Sequence, residues 1–380
     1  MPHPASAEPF ILSTPPGAVD DLRARLRATR WSDAAADAGW SLGMAAGELR
    51  ALVEYWADGF DWSAQEAALN RLPHYRTRID GLGIHYVSAP AAGGPGMPLL
   101  LLHGWPDSFW RYTKVIPLLT DPAARGGDPA EAFDVIVPDM PGFGYSDRPP
   151  TPLDSIAVAR LWAELMTSLG YERFAVAGGD IGSHVSRYLA LDYPDRVIAV
   201  HRTDAGVPHP AALPADLSPE ERAWTDAAAA WASTEGAYAA MHRTKPHTAA
   251  AGLTDSPAGL AAWIVEKLHA WSDGGLTAYT RDEILTALSI YWFTGTIGSS
   301  MRMYAANAAI PPDQLARRVE APSGFTQFPG DILPPPRAWL ERMTRLEYYS
   351  EASAGGHFAA FEQPEIYARE LQTFLRPHRG

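Results

Sequence analysis

Hydrophobic positions along the chain change their period several times, and each change marks an element. In DDLRARLRATRW, Leu22, Leu26 and Trp31 fall on one helical face, and Leu49, Leu52 and Trp56 do the same in ELRALVEYWADGFDW. YRTRIDGLGIHYVSA then alternates and turns at Asp80-Gly81, the signal of a two-stranded hairpin. MPLLLLHG and FDVIVPDMPGFG are continuous apolar runs, as expected of strands buried on both faces. ARLWAELMTSLG returns to helical spacing and stops at Gly170. RFAVAGGD reads as a strand, IGSHVSRYLALDY as a helix and RVIAVHRTD as a strand again.

Buried strands alternating with helices specify an α/β architecture with a parallel sheet. The alternation stops for about 100 residues, where the chain is helical, rich in Ala and Trp, and without strand runs. GFTQFPGD (324–331) and RLEYYSE (345–351) restore the strands, and FEQPEIYARELQTFLR supplies a last helix. Four segments follow: an N-terminal helical segment over 1–72, the first part of an α/β core over 73–205, a helical cap over 206–311, and the second part of the core over 312–380. A helical insertion after the sixth strand would cover the carboxyl ends of the strands, where ligands bind in such sheets. The alanine clusters AAADA (34–38) and DAAAAWA (226–232) read as helix.

Composition narrows the functional classes. The 380 residues are 47% hydrophobic and 20% charged, which suits one large core with an accessory domain. A net charge of −13 opposes nucleic acid and anionic membrane as partners. The chain has no cysteine, so disulfide and thiolate chemistry are excluded. MPHPASAEPFILSTPPG has neither the basic start nor the apolar run of a secretory signal, and no stretch approaches the roughly 20 apolar residues of a membrane helix. The expectation is a soluble, cytoplasmic protein.

The candidate chemistry begins at GGDIGS, residues 178–183. It lies between a strand and a helix, with the small residues that a sharp turn needs. A serine hydrolase would mount its nucleophile at the centre of such a turn; here the centre is Asp180. The bland alternative is a helix N-cap, a common role for Asp. The N–H of Ile181 is placed to serve an oxyanion. HGWPDS (103–108) follows a buried strand, where the second oxyanion N–H arises in this architecture; Trp105 would supply it, and Pro106 would stiffen the loop. His357, in GGHFAAFEQPE after the last strand, completes the order nucleophile, acid, histidine. Of the other histidines, His103 suits a supporting place, and His184, His201 and His242 have no catalytic placement. The acid that orients His357 is expected at Asp331 in FPGDILPPPR, with Asp204 in HRTDAG as its rival and an N-cap or turn as the bland reading of Asp331.

These motifs together resemble the epoxide hydrolases of the α/β-hydrolase fold, in the microsomal-like branch that carries an extra N-terminal domain. The resemblance runs along nearly the whole chain, through DLRARLRATRW, YWADGFDWSAQEAALNRLPHY, LLHGWPDS, PDMPGFGYSD, GGDIGSHVSRYLA, TKPHT, WIVEKLHAWSD, IYWFTGTIGSSMRMY and GGHFAAFEQPE. It implies an α/β-hydrolase fold, a mostly parallel sheet flanked by helices, with a helical cap domain and an N-terminal helical extension. It implies Asp180 as nucleophile, His357 as base and Asp331 as orienting acid. Two cap tyrosines are implied as hydrogen-bond donors to the epoxide oxygen: Tyr238, six residues before the Thr of TKP, and Tyr304, which ends GTIGSSMRMY. No cofactor and no metal are implied. The implied partners are a small apolar or aromatic epoxide and water, and the family allows a homodimer. The chain departs from the family at Asp107, where a small residue is common and a charge near the pocket mouth is expected instead. The membrane anchor of the microsomal enzymes is missing, so the soluble members are the expected counterparts.

Haloalkane dehalogenases also use Asp, His and an acid, but they need halide donors, often a Trp beside the nucleophile, where this chain has Ile181. A non-catalytic ligand receptor on the same scaffold would be free to lose the histidine or the acid, and both are present. A serine esterase is disfavoured because the turn has no central serine.

Overall fold

A computed structural model describes residues 7–33, 35 and 38–379. The expected helix at AAADA lies mostly outside the described residues. DAAAAWA is helical.

Strands β1 (Glu8–Pro9), β2 (His74–Ile79), β3 (Leu82–Ala89), β4 (Met97–Leu102), β5 (Phe133–Pro138), β6 (Phe174–Gly178), β7 (Val197–Arg202), β8 (Val319–Gln327) and β9 (Thr344–Glu351) form one sheet. Their order is β1-β2-β3-β5-β4-β6-β7-β8-β9. The β1–β2, β2–β3 and β3–β5 pairs are antiparallel; from β5 to β9 every neighbouring pair is parallel. Leu99 to Leu102 are fully buried, as their unbroken apolar run requires. Each such leucine contributes about 1.5–3 kcal/mol by leaving water. The order reverses at β4, with β5 on one side and β6 on the other, so a crevice opens at the carboxyl ends of β4 and β6.

Ahead of the sheet, α1 (Ala18–Arg27), α2 (Ala46–Asp58) and α3 (Trp62–Leu69) bury Leu22, Leu26, Leu52 and Trp56. Trp31 does not continue the α1 face. The helix ends at Arg27, and Trp31 is partly exposed beneath the Arg50 guanidinium, 4.3 Å from its ring centroid. The core helices α4 (Ile116–Thr120), α5 (Ser155–Ser168) and α6 (Ile181–Asp192) follow.

The insertion is helical throughout its regular elements: α7 (Pro219–Thr234), α8 (Ala237–Thr244), α9 (Pro246–Asp255), α10 (Pro257–Trp271), α11 (Arg281–Thr294) and α12 (Ile297–Asn307). Reciprocal capping boxes, Ser218 with Glu221 and Thr280 with Glu283, start α7 and α11 by satisfying N–H groups that the first turn leaves free. The N-terminal helices brace this layer. Trp56 Nε1 donates to Ser289 Oγ at 3.1 Å, and Tyr55 donates to Asp282 at 2.8 Å. The chain then closes the core with α13 (Pro312–Leu315), α14 (Arg337–Met343), α15 (Ala359–Glu362) and α16 (Pro364–Leu375).

Two strands differ from the sequence pattern. β1 is two residues long and shows no alternation to read. β8 begins at Val319, ahead of the GFTQF run, and its pairing with β9 shifts register around Pro322, which has no N–H to give the ladder.

Candidate active site

Five neighbouring strands, β4, β6, β7, β8 and β9, end in loops that bring their chemistry together. In that order the loops carry Trp105, Asp180, Asp204, Asp331 and His357.

Asp180 stands between β6 and α6 with φ 53° and ψ −134°, a strained backbone for a residue with a side chain. Its carboxylate does not cap α6, which removes the bland reading of GGDIGS. The turn needs its glycines because the neighbouring backbones touch. A Cβ on Gly182 would overlap the Leu102 carbonyl, and one on Gly104 would overlap the Asp180 carboxylate.

The Trp105 N–H donates to Asp180 Oδ1 at 2.7 Å, and the Ile181 N–H also supports the carboxylate. Pro106 follows Trp105 through a cis peptide. Oδ2 faces the other way, 3.4 Å from His357 Nε2. Nε2 makes no hydrogen bond to any described residue. On the far side of the ring, Nδ1 lies 2.7 Å from Asp331 Oδ1, which also accepts the Ile332 N–H at 2.6 Å. Asp331 therefore meets the histidine from a turn; it is not the N-cap of α14, a place taken by Pro336.

Burial pushes the Asp180 carboxyl upward in pKa, but His357 and the two N–H groups outweigh it, and the group titrates below the ordinary carboxylate value. Burial pulls His357 down, yet Asp331 and Asp180 raise it to about 10. The resting site is thus an imidazolium between two carboxylates. Asp204 is the exception among the acids. Burial first, then the nearby Asp331 charge, push it up to about 7. Its Oδ1 accepts the Gly206 N–H at 2.7 Å.

Tyr238 on α8 and Tyr304 on α12 close the opposite wall, with ring centroids 6.0 Å apart. Trp105 stacks on Tyr238 at 5.4 Å and meets Tyr304 edge-on at 6.1 Å. Burial raises both phenols above their ordinary pKa, so both are protonated donors at neutral pH. A cavity of about 380 Å³ is lined by Asp180, Ile181, Asp204, Tyr238, Tyr304 and His357 at its reactive end. Trp231, Ile310, Leu315, Ile332 and Leu333 give it apolar walls.

The sequence-derived site residues Trp105, Asp180, Ile181, Tyr238, Tyr304, Asp331 and His357 are all brought together. Asp107 is not at the pocket mouth. It is buried and paired with Arg111 at 3.1 Å, the two lying four residues apart across the start of the short turn Phe109–Tyr112. Arg111 is a site residue that sequence reasoning missed: its guanidinium also donates to the His357 carbonyl. The Glu362 carboxylate grips the same loop through the N–H groups of Gly356 and Phe358, at 3.0 and 2.9 Å. The signal for Arg111 was the i, i+4 pair within PDSFWRY; that for Glu362 was its place just after GGHFAAF. His103 supports its loop by accepting the Met140 N–H at 3.0 Å. His184 lines the cavity, His201 contacts Thr326 from β7, and His242 accepts from Trp263 in the cap.

Residues 7–112 match the family described as epoxide hydrolase N terminus, and residues 97–231 match the alpha/beta hydrolase fold. Epoxide hydrolase 1 of Sus scrofa is 35% identical over 98% of this chain and 90% of its own length. The chain belongs to the epoxide hydrolases. A relative from Stigmatella aurantiaca (strain DW4/3-1) is 42% identical over 98% of this chain and 85% of its own length. The crystal structure of the juvenile hormone epoxide hydrolase of Bombyx mori superposes with a TM-score of 0.90 at 31% identity, covering 99% of this chain and 96% of that one. The enzyme shares the α/β-hydrolase fold of these epoxide hydrolases. Among its described residues, no helix is long and apolar enough to cross a membrane.

Proposed function

We propose that this epoxide hydrolase converts a bulky apolar or aromatic epoxide to a vicinal diol through an ester on Asp180. The observation that carries the reading is the division of labour between the two Asp180 oxygens. Oδ1 is held by the Trp105 N–H, and Oδ2 lies on the His357 side. Oδ2 attacks one epoxide carbon, the C–O bond opens, and a tyrosine gives its proton to the emerging alkoxide. A serine would leave an ether at that carbon. A carboxylate leaves an ester, which water can cleave.

Before the second step the proton of His357 passes to the tyrosinate that ring opening left; the neutral imidazole, oriented by Asp331, then takes a proton from water, and the hydroxide adds to the Asp180 carbonyl carbon. Oδ1 becomes the oxyanion, already accepting the Trp105 N–H, with the Ile181 N–H also beside the carboxylate. The carbonyl re-forms as the bond from the acyl carbon to Oδ2 breaks; Oδ2 leaves as part of the diol and takes the proton of the added hydroxyl, so the Asp180 carboxylate and the imidazolium are restored. The apolar cavity walls support an apolar substrate, and no cofactor enters the scheme. Intact mass of the enzyme after rapid quenching with styrene oxide tests the reading: a transient gain equal to one substrate, mapped to Asp180, is expected. Turnover without any such adduct, even in a His357→Gln variant, would rule it out.

A further inference from the structure

A second, smaller cavity of about 80 Å³ shares His184, Val207, His209 and Leu315 as walls with the catalytic one. Arg202, the last residue of β7, and Arg187 on α6 line it, and no carboxylate does. That is unexpected in a chain with a net charge of −13. Both arginines are buried, Arg202 with 6% and Arg187 with 7% of its surface exposed. Arg187 donates to the Leu315 carbonyl at 2.9 Å and to that of Arg317, neutral acceptors at and just beyond the end of α13. The Arg202 guanidinium makes no hydrogen bond and no ion pair with any described residue.

Burying a charge is costly unless an opposite charge meets it. Asp204, two residues on, feels the Arg202 charge but forms no ion pair with it, and burial and Asp331 push its own carboxyl up to about 7. At neutral pH it is therefore only in part a counter-charge. The neighbours register the surplus. Burial first, then the Arg187 charge, pull Arg202 down to about 10, where it is still charged at neutral pH. Burial outweighs the Asp180 charge at His184 and, with Arg187 and Arg202 adding to it, holds that imidazole at about 4, so it is neutral. Trp339, Leu340 and Met343 of α14 give the cavity an apolar wall, which strengthens attraction between charges inside it. A cavity needs about 10–15 Å³ to hold one water, so this one has room for a chloride or a carboxylate group. We propose that it is a binding site for one small monoanion, a chloride or a carboxylate group, held by Arg202 with Arg187 beside it. The site is separate from the ester scheme and does not depend on it. A carboxylate reaches it either free from solvent or as the far end of an epoxide in the catalytic cavity, across the four shared residues.

The test is thermal unfolding of the whole enzyme in chloride or formate, at constant ionic strength made up with the salt of a bulky sulfonate. The midpoint is expected to rise by a few degrees and to level off as the site fills, because a ligand that binds only the folded state stabilises it. The NMR line of chloride should broaden with the enzyme and sharpen again when formate competes. Arg202→Met keeps the length of the side chain and removes its charge, so both effects should vanish. Leu213→Glu sets a carboxylate of the chain itself into the cavity wall, and it should abolish the dependence on chloride and formate. Should Arg202→Met not fold, the chloride line of wild type against Leu213→Glu decides the same point. The source of the anion is read from KM for an epoxide with a terminal carboxylate and for its methyl ester. Chloride that raises KM for the acid alone assigns the site to the substrate's own carboxylate, and KM values that ignore chloride assign it to the free ion. A midpoint that chloride and formate leave at its sulfonate value, an equal rise in Arg202→Met, or a chloride line that formate leaves broad would overturn the proposal. None of these readouts involves the Asp180 ester, so failure of the covalent scheme would leave them unchanged.

Discussion

Asp331 meets His357 at 2.7 Å on Nδ1, and the opposite nitrogen of the same ring stands 3.4 Å from Asp180. A single imidazole therefore couples the loops after β8 and β9 to the elbow after β6. In Asp331→Asn the amide can no longer stabilise the imidazolium, and it can favour the wrong tautomer. Loss of the orienting acid in a triad costs on the order of 10⁴ in rate. Pre-steady-state kinetics should show ester hydrolysis slowed by about that order, with the Asp180 ester accumulating. Near-normal hydrolysis would make Asp331 an ordinary turn residue.

The cap tyrosines act where charge develops. Each phenol lost should cost on the order of 1.5–3 kcal/mol, as for hydrogen bonds to charged groups. That is roughly tenfold to a hundredfold in the alkylation rate. Because Tyr238 and Tyr304 share one wall, either Phe variant alone should keep some activity. The double variant should be nearly inactive in alkylation while still binding an unreactive substrate analogue. Stopped-flow alkylation rates beside analogue affinities decide this; a double variant with near-normal alkylation would remove the phenols from the reaction.

Electrostatics predict the titration of His357. Asp331 and Asp180 raise it to about 10 against the pull of burial. Asp180→Asn removes one of those charges, as ester formation does, so the imidazolium is less favoured and its pKa should fall. NMR titration of the His357 ring in wild type and Asp180→Asn measures the change. An unchanged or higher value in the variant would mean that Asp180 does not hold the imidazolium.

Arg111 carries a prediction of a different kind. Its guanidinium is buried, pairs with Asp107 and supports the His357 carbonyl. Arg111→Met strands a buried carboxylate, a change that costs about 3–5 kcal/mol when one partner of a buried pair is lost. Denaturant unfolding should report that loss, and the variant's ester hydrolysis should slow because the histidine loop is no longer pinned. Adding Asp107→Asn should recover part of the stability.

The sequence was most legible where one physical demand dominates. Leu99 to Leu102 read as a strand because burial on both faces leaves no polar position, and GGDIGS read as an elbow because touching backbones admit only small residues. The site was legible in its order along the chain, which places Asp180, Asp331 and His357 after β6, β8 and β9. Other features left weaker traces. β1 is too short to show a period, and Pro322 masks the start of β8 by breaking its ladder. Asp107 looked like a free charge because its partner Arg111 follows four residues later in a segment read as loop. Asp204 looked only like a competitor for the place of Asp331, since its position between two catalytic strands appears only once the strand order is known.

The central claim is that the first bond to the substrate is made by Asp180. A single turnover in heavy-oxygen water, with enzyme in excess over epoxide, measures it directly. The account predicts that the first diol carries ordinary oxygen, taken from the Asp180 carboxylate, and that the heavy label enters the enzyme. A first-turnover diol that carries the solvent label would show that water attacks the epoxide itself, and would contradict the account.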